Sequence, residues 1–166
     1  MILSLKNKDL KLRFFSERDV PFLKKIYFGT REAELNQVSD WTEGMKQAFL
    51  TQQFEAQHEY YQKNYLGANF LIIEKGSEII GRLYYQENFE ATLRIIDIAL
   101  LPEFQKKGLG TTILHDIMEH AKIIEQHITI HVESFNPAMA LYKRLGFQKI
   151  SETNGVYHLL QWNYKN

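Results

Sequence analysis

Two stretches of the chain carry residues whose types and spacing could do chemistry. The first runs Ile98-Ala99-Leu100-Leu101-Pro102-Glu103-Phe104-Gln105-Lys106-Lys107-Gly108-Leu109-Gly110-Thr111. An apolar strand enters a turn with two glycines, and the apolar period then becomes helical. Glycines let a backbone approach a ligand closely, and the first turn of a helix offers unpaired N–H groups at the positive end of its dipole. With Lys106 and Lys107 alongside, the chemistry suits a pyrophosphate. Two familiar nucleotide loops are absent. There is no G-x-x-x-x-G-K-[ST], and Ile113 stands where G-x-G-x-x-G needs its last glycine. The second stretch is Asn136-Pro137-Ala138-Met139-Ala140-Leu141-Tyr142-Lys143-Arg144-Leu145-Gly146-Phe147. Asn as N-cap, Pro at the first helical position and Gly just past the end predict a short helix that presents the Tyr142 phenol. Each stretch alone also reads as plain structure: a helix start with solvated lysines, and a packing tyrosine.

The elements that must position these residues follow from periodicity. A strand is predicted over 10–15, and Ser16-Glu17-Arg18-Asp19 reads as a capping box for a helix carrying Val20, Leu23, Ile26 and Tyr27. Residues 30–44 read as a loop or short helix rich in acid (Glu32, Glu34, Asp40, Glu43). A long helix over 45–65 has two apolar stripes, which predicts contact on two sides. Strands over 69–74 and 78–86 flank Lys75-Gly76-Ser77 as a hairpin, and Leu93 to Leu101 reads as a third strand whose run from Ile95 fits a central one buried on both faces. Leu109, Ile113, Ile117, Ala121 and Ile124 define a helix over 108–124, followed by a strand over 128–133, the short helix, and strands over 147–150 and 156–162. The order β-α-α-β-β-β-α-β-α-β-β predicts an α/β (α+β-like) sheet with hairpins first and a βαβ unit later.

Composition narrows the function classes. A chain of 166 residues with no Pro/Gly/Ser-rich linker is expected to be one domain over 1–166. Twenty basic against twenty acidic residues argue against a nucleic-acid binder. The absence of cysteine excludes a disulfide framework, a thiolate metal site and a cysteine nucleophile. His115 and His120 are five apart on a helix, and His58, His127 and His158 lack partners at ligand spacing, so no metal is expected. No long apolar run or leader-like segment is seen, which predicts a cytoplasmic protein away from membranes.

Together, Gln105, Gly108 and Gly110 after a strand, followed by Asn136, Ala138, Tyr142, Gly146 and Phe147, resemble the GNAT superfamily of acetyl-CoA-dependent N-acetyltransferases. The resemblance covers 69–147 in order and spacing. It implies a mixed, mostly antiparallel central sheet flanked by about four helices and split between two strands to form the CoA cleft. By the same resemblance, backbone groups of Ile98 and Leu100 pair with the pantetheine arm, and the Leu100 N–H faces the thioester carbonyl. Gln105, Lys106, Lys107, Gly108, Gly110 and Thr111 fall on the pyrophosphate loop, with Gln105 where arginine is more usual. Asn136 bonds the pantetheine or an ordered water, Tyr142 is the general acid, and Lys143 either reaches the 3′-phosphate or is solvated. A phenol near pKa 10 can donate to a thiolate near 8.5.

The implied reaction is acetyl transfer from acetyl-CoA to a primary amine of a small molecule or peptide, by direct attack in a ternary complex. A non-catalytic acyl-CoA-binding or sensing module on the same fold is the alternative. The amine must lose a proton before attack. His131 stands where relatives acting on ribosomal proteins carry glutamate, and its imidazole could serve as base. Glu133 points the same way along the strand. Asp97, Glu133 or water remain as alternatives to His131. The acidic residues between 32 and 43 either attract a polycation or are plain solvated loop. Tyr60, Tyr61 and Tyr65 either line an acceptor groove or belong to the core. The aromatic strand Tyr157 to Tyr164 suggests an edge that could pair two copies in a homodimer.

Overall fold

The computed structural model describes residues 3–166. Its elements are β1 (Leu10–Phe14), α1 (Val20–Leu35), α2 (Glu43–Asn64), β2 (Asn69–Lys75), β3 (Glu78–Phe89), β4 (Thr92–Leu100), α3 (Leu109–Ile123), β5 (Ile128–Glu133), α4 (Met139–Arg144), β6 (Gln148–Thr153) and β7 (Tyr157–Trp162). The strands form one sheet in the order β1-β2-β3-β4-β5-β7-β6. Among the described residues only β4 and β5 run parallel, joined through α3 as a βαβ unit. The α/β class, the element order and the mostly antiparallel sheet are those expected from the sequence.

Each face of the sheet has its own core. On one face, Leu71, Ile73, Leu83, Tyr85, Leu93, Ile95, Ile128, Ile130 and Val132 meet Ile113, Leu114, Ile117 and Ala121 of α3. That α3 stripe is the one legible in the sequence, and each buried Ile or Leu contributes about 1.5–3 kcal/mol. On the other face, Ile72 and Tyr84 meet Leu23 and Tyr27 of α1 and Leu50 and Phe54 of α2. At the entry to α1, Asp19 accepts from the Ser16 N–H at 2.8 Å and pairs with Arg13 of β1. The guanidinium holds the Asp19 carboxyl down at about 2.

Four expectations are corrected. The segment 30–44, read as a loop or a short separate helix, instead continues α1 as far as Leu35, because Arg31-Glu32-Ala33-Glu34-Leu35 are strong helix formers. The first stripe of α2 is not contacted on a second side: Met45, Ala48, Phe49, Gln52 and Ala56 are exposed, because α2 is the outer layer of this face. Trp41 and Phe49 instead pack edge-on against each other, 5.2 Å between centroids. β4 is not buried on both faces throughout: Ile96, Asp97 and Ile98 are only half-buried, because β4 loses its partner β5 beyond Ile95. Finally, β7 is not an edge. It pairs with β5 on one side and β6 on the other, so the edge strand at that end of the sheet is the exposed β6.

Candidate active site

The sheet opens in its middle. β4 and β5 share three rungs, Leu93↔Ile128, Arg94↔Thr129 and Ile95↔Ile130, and then part. Both lips stay held from outside. β4 remains paired with β3 as far as Gly81↔Leu100, and β5 with β7 as far as Glu133↔Tyr157. The parting begins at a bulge: β3 pairs Tyr85 with Ile95 but Tyr84 with Asp97, so Ile96 is an extra residue that bends β4 away. Leu101 N–H donates to the Ile80 carbonyl of β3 at 2.8 Å. In an antiparallel ladder, successive residues direct their backbone groups to opposite sides. Ala99 therefore also faces β3, while Ile98 and Leu100 direct their N–H and C=O into the split, as the resemblance implied. Beyond Ile95, β4 has a free inner edge of the kind a strand-like ligand completes.

Past the lip the chain makes the glycine turn. Lys106 (φ 59°) and Gly108 (φ 81°) are left-handed, and Gly108 forms the N-cap of the 15-residue α3. Lys106, Lys107 and Gly108 are exposed, while Gly110 and Thr111 are half-buried in the first turn of α3. A side chain at Gly110 would come no closer than 3.9 Å to Leu100, so the helix start stands open towards the split. Gln105 does something the sequence did not foretell. Its side-chain amide turns back and donates to the Leu100 carbonyl at 2.9 Å, tying the turn to the lip. An extended arm with amides and a terminal pyrophosphate fits these residues: outward backbone groups along β4, then free helix amides and lysines at its end.

Tyr142 is set by the end of its helix. Gly146 (φ 101°) closes α4: Phe147 N–H donates to the Tyr142 carbonyl (3.0 Å) and Gly146 N–H to that of Lys143 (3.1 Å). The Phe147 ring then meets Tyr142 edge-on at 5.5 Å. Clamped in this way, Tyr142 is buried on the α3 side of the sheet with Ile95, Ile130 and Val132 around the apex of the split. Burial, aided by the charge of Asp97, pushes its phenol well above the usual 10. Asn136 is corrected as a cap. α4 starts at Met139 with Ala138 as N-cap, and Asn136 forms the preceding turn, accepting from the Ala138 N–H at 2.8 Å. Lys143 is exposed.

The three candidate bases lie on the opposite, α1/α2 side, in different states. His131 is the first residue of β5 beyond the last shared rung, and it is exposed. Partial desolvation of its ring and the nearby Arg94 guanidinium push it below the usual 6.5, with Glu90 opposing them. Glu133, two residues on, is paired with Arg31 of α1 at 3.2 Å. Asp97, on the facing lip, is ion-paired with Arg82. Arg82 itself was missed in the sequence, where a lone charge in a strand reads as solvated. Two of the tyrosines of the α2 region pack inward: Tyr61 lies edge-on to Tyr84 at 6.0 Å and Tyr65 against Phe89 at 5.0 Å, whereas Tyr60 is exposed. Among the described residues, no cluster of His, Cys, Asp or Glu could hold a metal ion, and no helix is long and apolar enough to cross a membrane.

Comparison with known proteins agrees with this geometry. An N-alpha-acetyltransferase of Saccharolobus solfataricus is 34% identical over 67 residues, 38% of this chain and 40% of that protein. Matches to the curated relatives span about 25–40% of those proteins' lengths. The fold is that of a Thermoplasma acidophilum PaiA N-acetyltransferase solved with coenzyme A (TM-score 0.68, 18% identity, 93% of this chain and 99% of that one). It is also that of an Elizabethkingia anophelis GNAT acetyltransferase solved with acetyl-CoA (TM-score 0.61, 16% identity, 95% and 99%). A family model, Acetyltransferase (GNAT) family, matches residues 35–147, a span that contains the split, the glycine turn and the Tyr142 helix. The chain belongs to the GNAT acetyltransferase family.

Proposed function

We propose that the protein transfers an acetyl group from acetyl-CoA to a primary amine of a small molecule or peptide, by direct attack in a ternary complex. The observation that carries this reading is the split itself. Ile98 presents its N–H and C=O, and Leu100 its N–H, along one lip, and that lip leads directly to the open N-terminus of α3. Acetyl-CoA would supply an activated acetyl group, so that a C–N bond forms as the C–S bond breaks. Ile98, Leu100, the 105–111 turn and Asn136 would hold it, with Lys106 and Lys107 near its phosphates.

The chain's own groups then divide the proton work. A neutral His131 on the acceptor side takes a proton from the acceptor's ammonium, which frees the nitrogen lone pair to attack. The Leu100 N–H faces the carbonyl oxygen on which charge develops. Tyr142, on the cofactor side, keeps its proton through neutral pH and offers it to the departing sulfur. A phenol raised in this way works first as a hydrogen-bond donor to the thiolate. Being cysteine-free, the chain offers no thiol for an acyl-enzyme, which supports direct transfer.

Thiol release from acetyl-CoA, followed with a panel of alkylamines, diamines and peptides bearing free N-termini, tests the reading. Wild type is expected to release thiol with at least one of them. Tyr142→Phe is expected to lose about 10²-fold or more in kcat, with CoA affinity unchanged. Binding of acetyl-CoA with no amine-dependent thiol release would instead favour a sensing module.

A further inference from the structure

One buried charge has no part in these steps. Arg82 of β3 is 2% exposed, among side chains packed under α2. Its Nη2 reaches Gln57 Oε1 of α2 at 2.8 Å and pairs with Asp97, and the guanidinium lies 5.0 Å over the Tyr84 ring. Its Nε has no hydrogen-bond partner among the described residues. A buried ion pair of this kind adds little to stability, since apolar residues of similar volume would hold the core as well. What it does is fix Asp97. Asp97 stands two residues past the last β4–β5 rung, at the lip of the split, with 23% of its side chain exposed while Arg82 behind it is fully enclosed. The pair is thus a dipole with its positive end in the core and its negative end at the opening.

The surroundings suit one kind of ligand. Tyr84 sits opposite Asp97 in the ladder, and its hydroxyl is buried without a partner; Tyr61 packs edge-on against it. Arg82 takes the buried side of the Asp97 carboxylate, and the part that remains exposed, close to aromatic faces, favours a second cation, an ammonium in particular. This side of the sheet, away from Tyr142 and α3, is where the amine arrives in the reading above, on which this inference rests.

We propose that Arg82 is a positioning residue that holds Asp97 at the lip of the split as the anchor for the acceptor's ammonium group, so that the enzyme selects cationic amines over neutral nucleophiles. Arg82 acts through Asp97 and does not touch the acceptor. The test compares wild type, Asp97→Asn, Arg82→Met and Arg82→Lys in the full chain, using the best alkylamine of the panel and hydroxylamine, a nucleophile that is neutral at the assay pH. CoA affinity and melting temperature are measured on each variant.

Asp97→Asn and Arg82→Met are expected to raise the KM of the cationic amine by about tenfold or more, with Arg82→Lys recovering part of the loss. Acetyl-CoA KM should stay within about twofold of wild type, and any loss with hydroxylamine should be several-fold smaller than the loss with the cationic amine. Equal losses for charged and neutral nucleophiles, or an unmoved amine KM in Asp97→Asn, would overturn the anchor. If Arg82→Met fails to fold, Asp97→Asn and Arg82→Lys decide. A wild type silent with every amine would overturn the acetyl-transfer reading itself, whereas an active wild type with unmoved variants overturns only the anchor.

Discussion

His131 and Tyr142 flank the apex of the split from opposite faces of the sheet, and their surroundings push both towards the neutral form. Desolvation and Arg94 lower the imidazole, while burial and Asp97 raise the phenol. The direction for His131 gives a signed prediction. A base must be unprotonated, so kcat/KM should hold steady down to a pH below the usual 6.5 and fall as pH drops further. His131→Gln should remove that acid limb and lower kcat/KM by about 10²-fold, read from pH–rate profiles with one amine. A limb that survives the substitution would move the role to Asp97 or water. Glu133 and Asp97 are weaker candidates than His131, since Arg31 and Arg82 already occupy them. The sequence showed which residue types were available at these positions. It could not show which carboxylates were already paired, because Arg31 reaches Glu133 from a distant helix and Arg82 reaches Asp97 through the bulged β3–β4 register.

At the scale of elements, local rules carried most of the fold. The α3 stripe, the hairpin around Gly76 and the βαβ unit all follow from period and turn chemistry within a dozen residues. The errors have long-range causes. Nothing local says that α2 is an outer layer with one stripe in solvent, or that β7 inserts between β5 and β6. The bulge at Ile96 that starts the split is equally silent in the sequence, since it is defined by pairing with Tyr84 and Tyr85. The end of α4 was legible, and it positions Tyr142. Gly146 at φ 101° lets Phe147 fold back onto Tyr142. Gly146→Ala should cost about 1–2 kcal/mol, a fall in Tm of roughly 2–8 °C. It should also lower kcat while leaving CoA affinity unchanged, because the loosened side chain is Tyr142 and not the glycine turn. Calorimetry and thiol-release kinetics on the same preparation read both effects.

For the molecule as a whole, the sheet does two jobs by being incomplete. Its outer pairings hold β4 and β5 as two rigid lips, and the missing pairings between them leave room for a strand-like ligand. One face of the sheet carries α3, α4 and Tyr142; the other carries α1, α2, Arg82–Asp97 and His131. Acyl donor and amine would thus meet from opposite sides of one layer. The balanced charge of the chain conceals a local contrast, with lysines at the glycine turn and the Asp97 carboxylate on the α1/α2 side of the split. The central claim, that the split receives the arm of CoA as an added strand, is tested most directly by amide hydrogen exchange measured by NMR with and without CoA. The Ile98 and Leu100 amides, which face the opening, should exchange readily in the free protein and become strongly protected on binding. Ala99 and Leu101, already bonded to β3, should change little. CoA binding that leaves Ile98 and Leu100 unprotected would contradict the account.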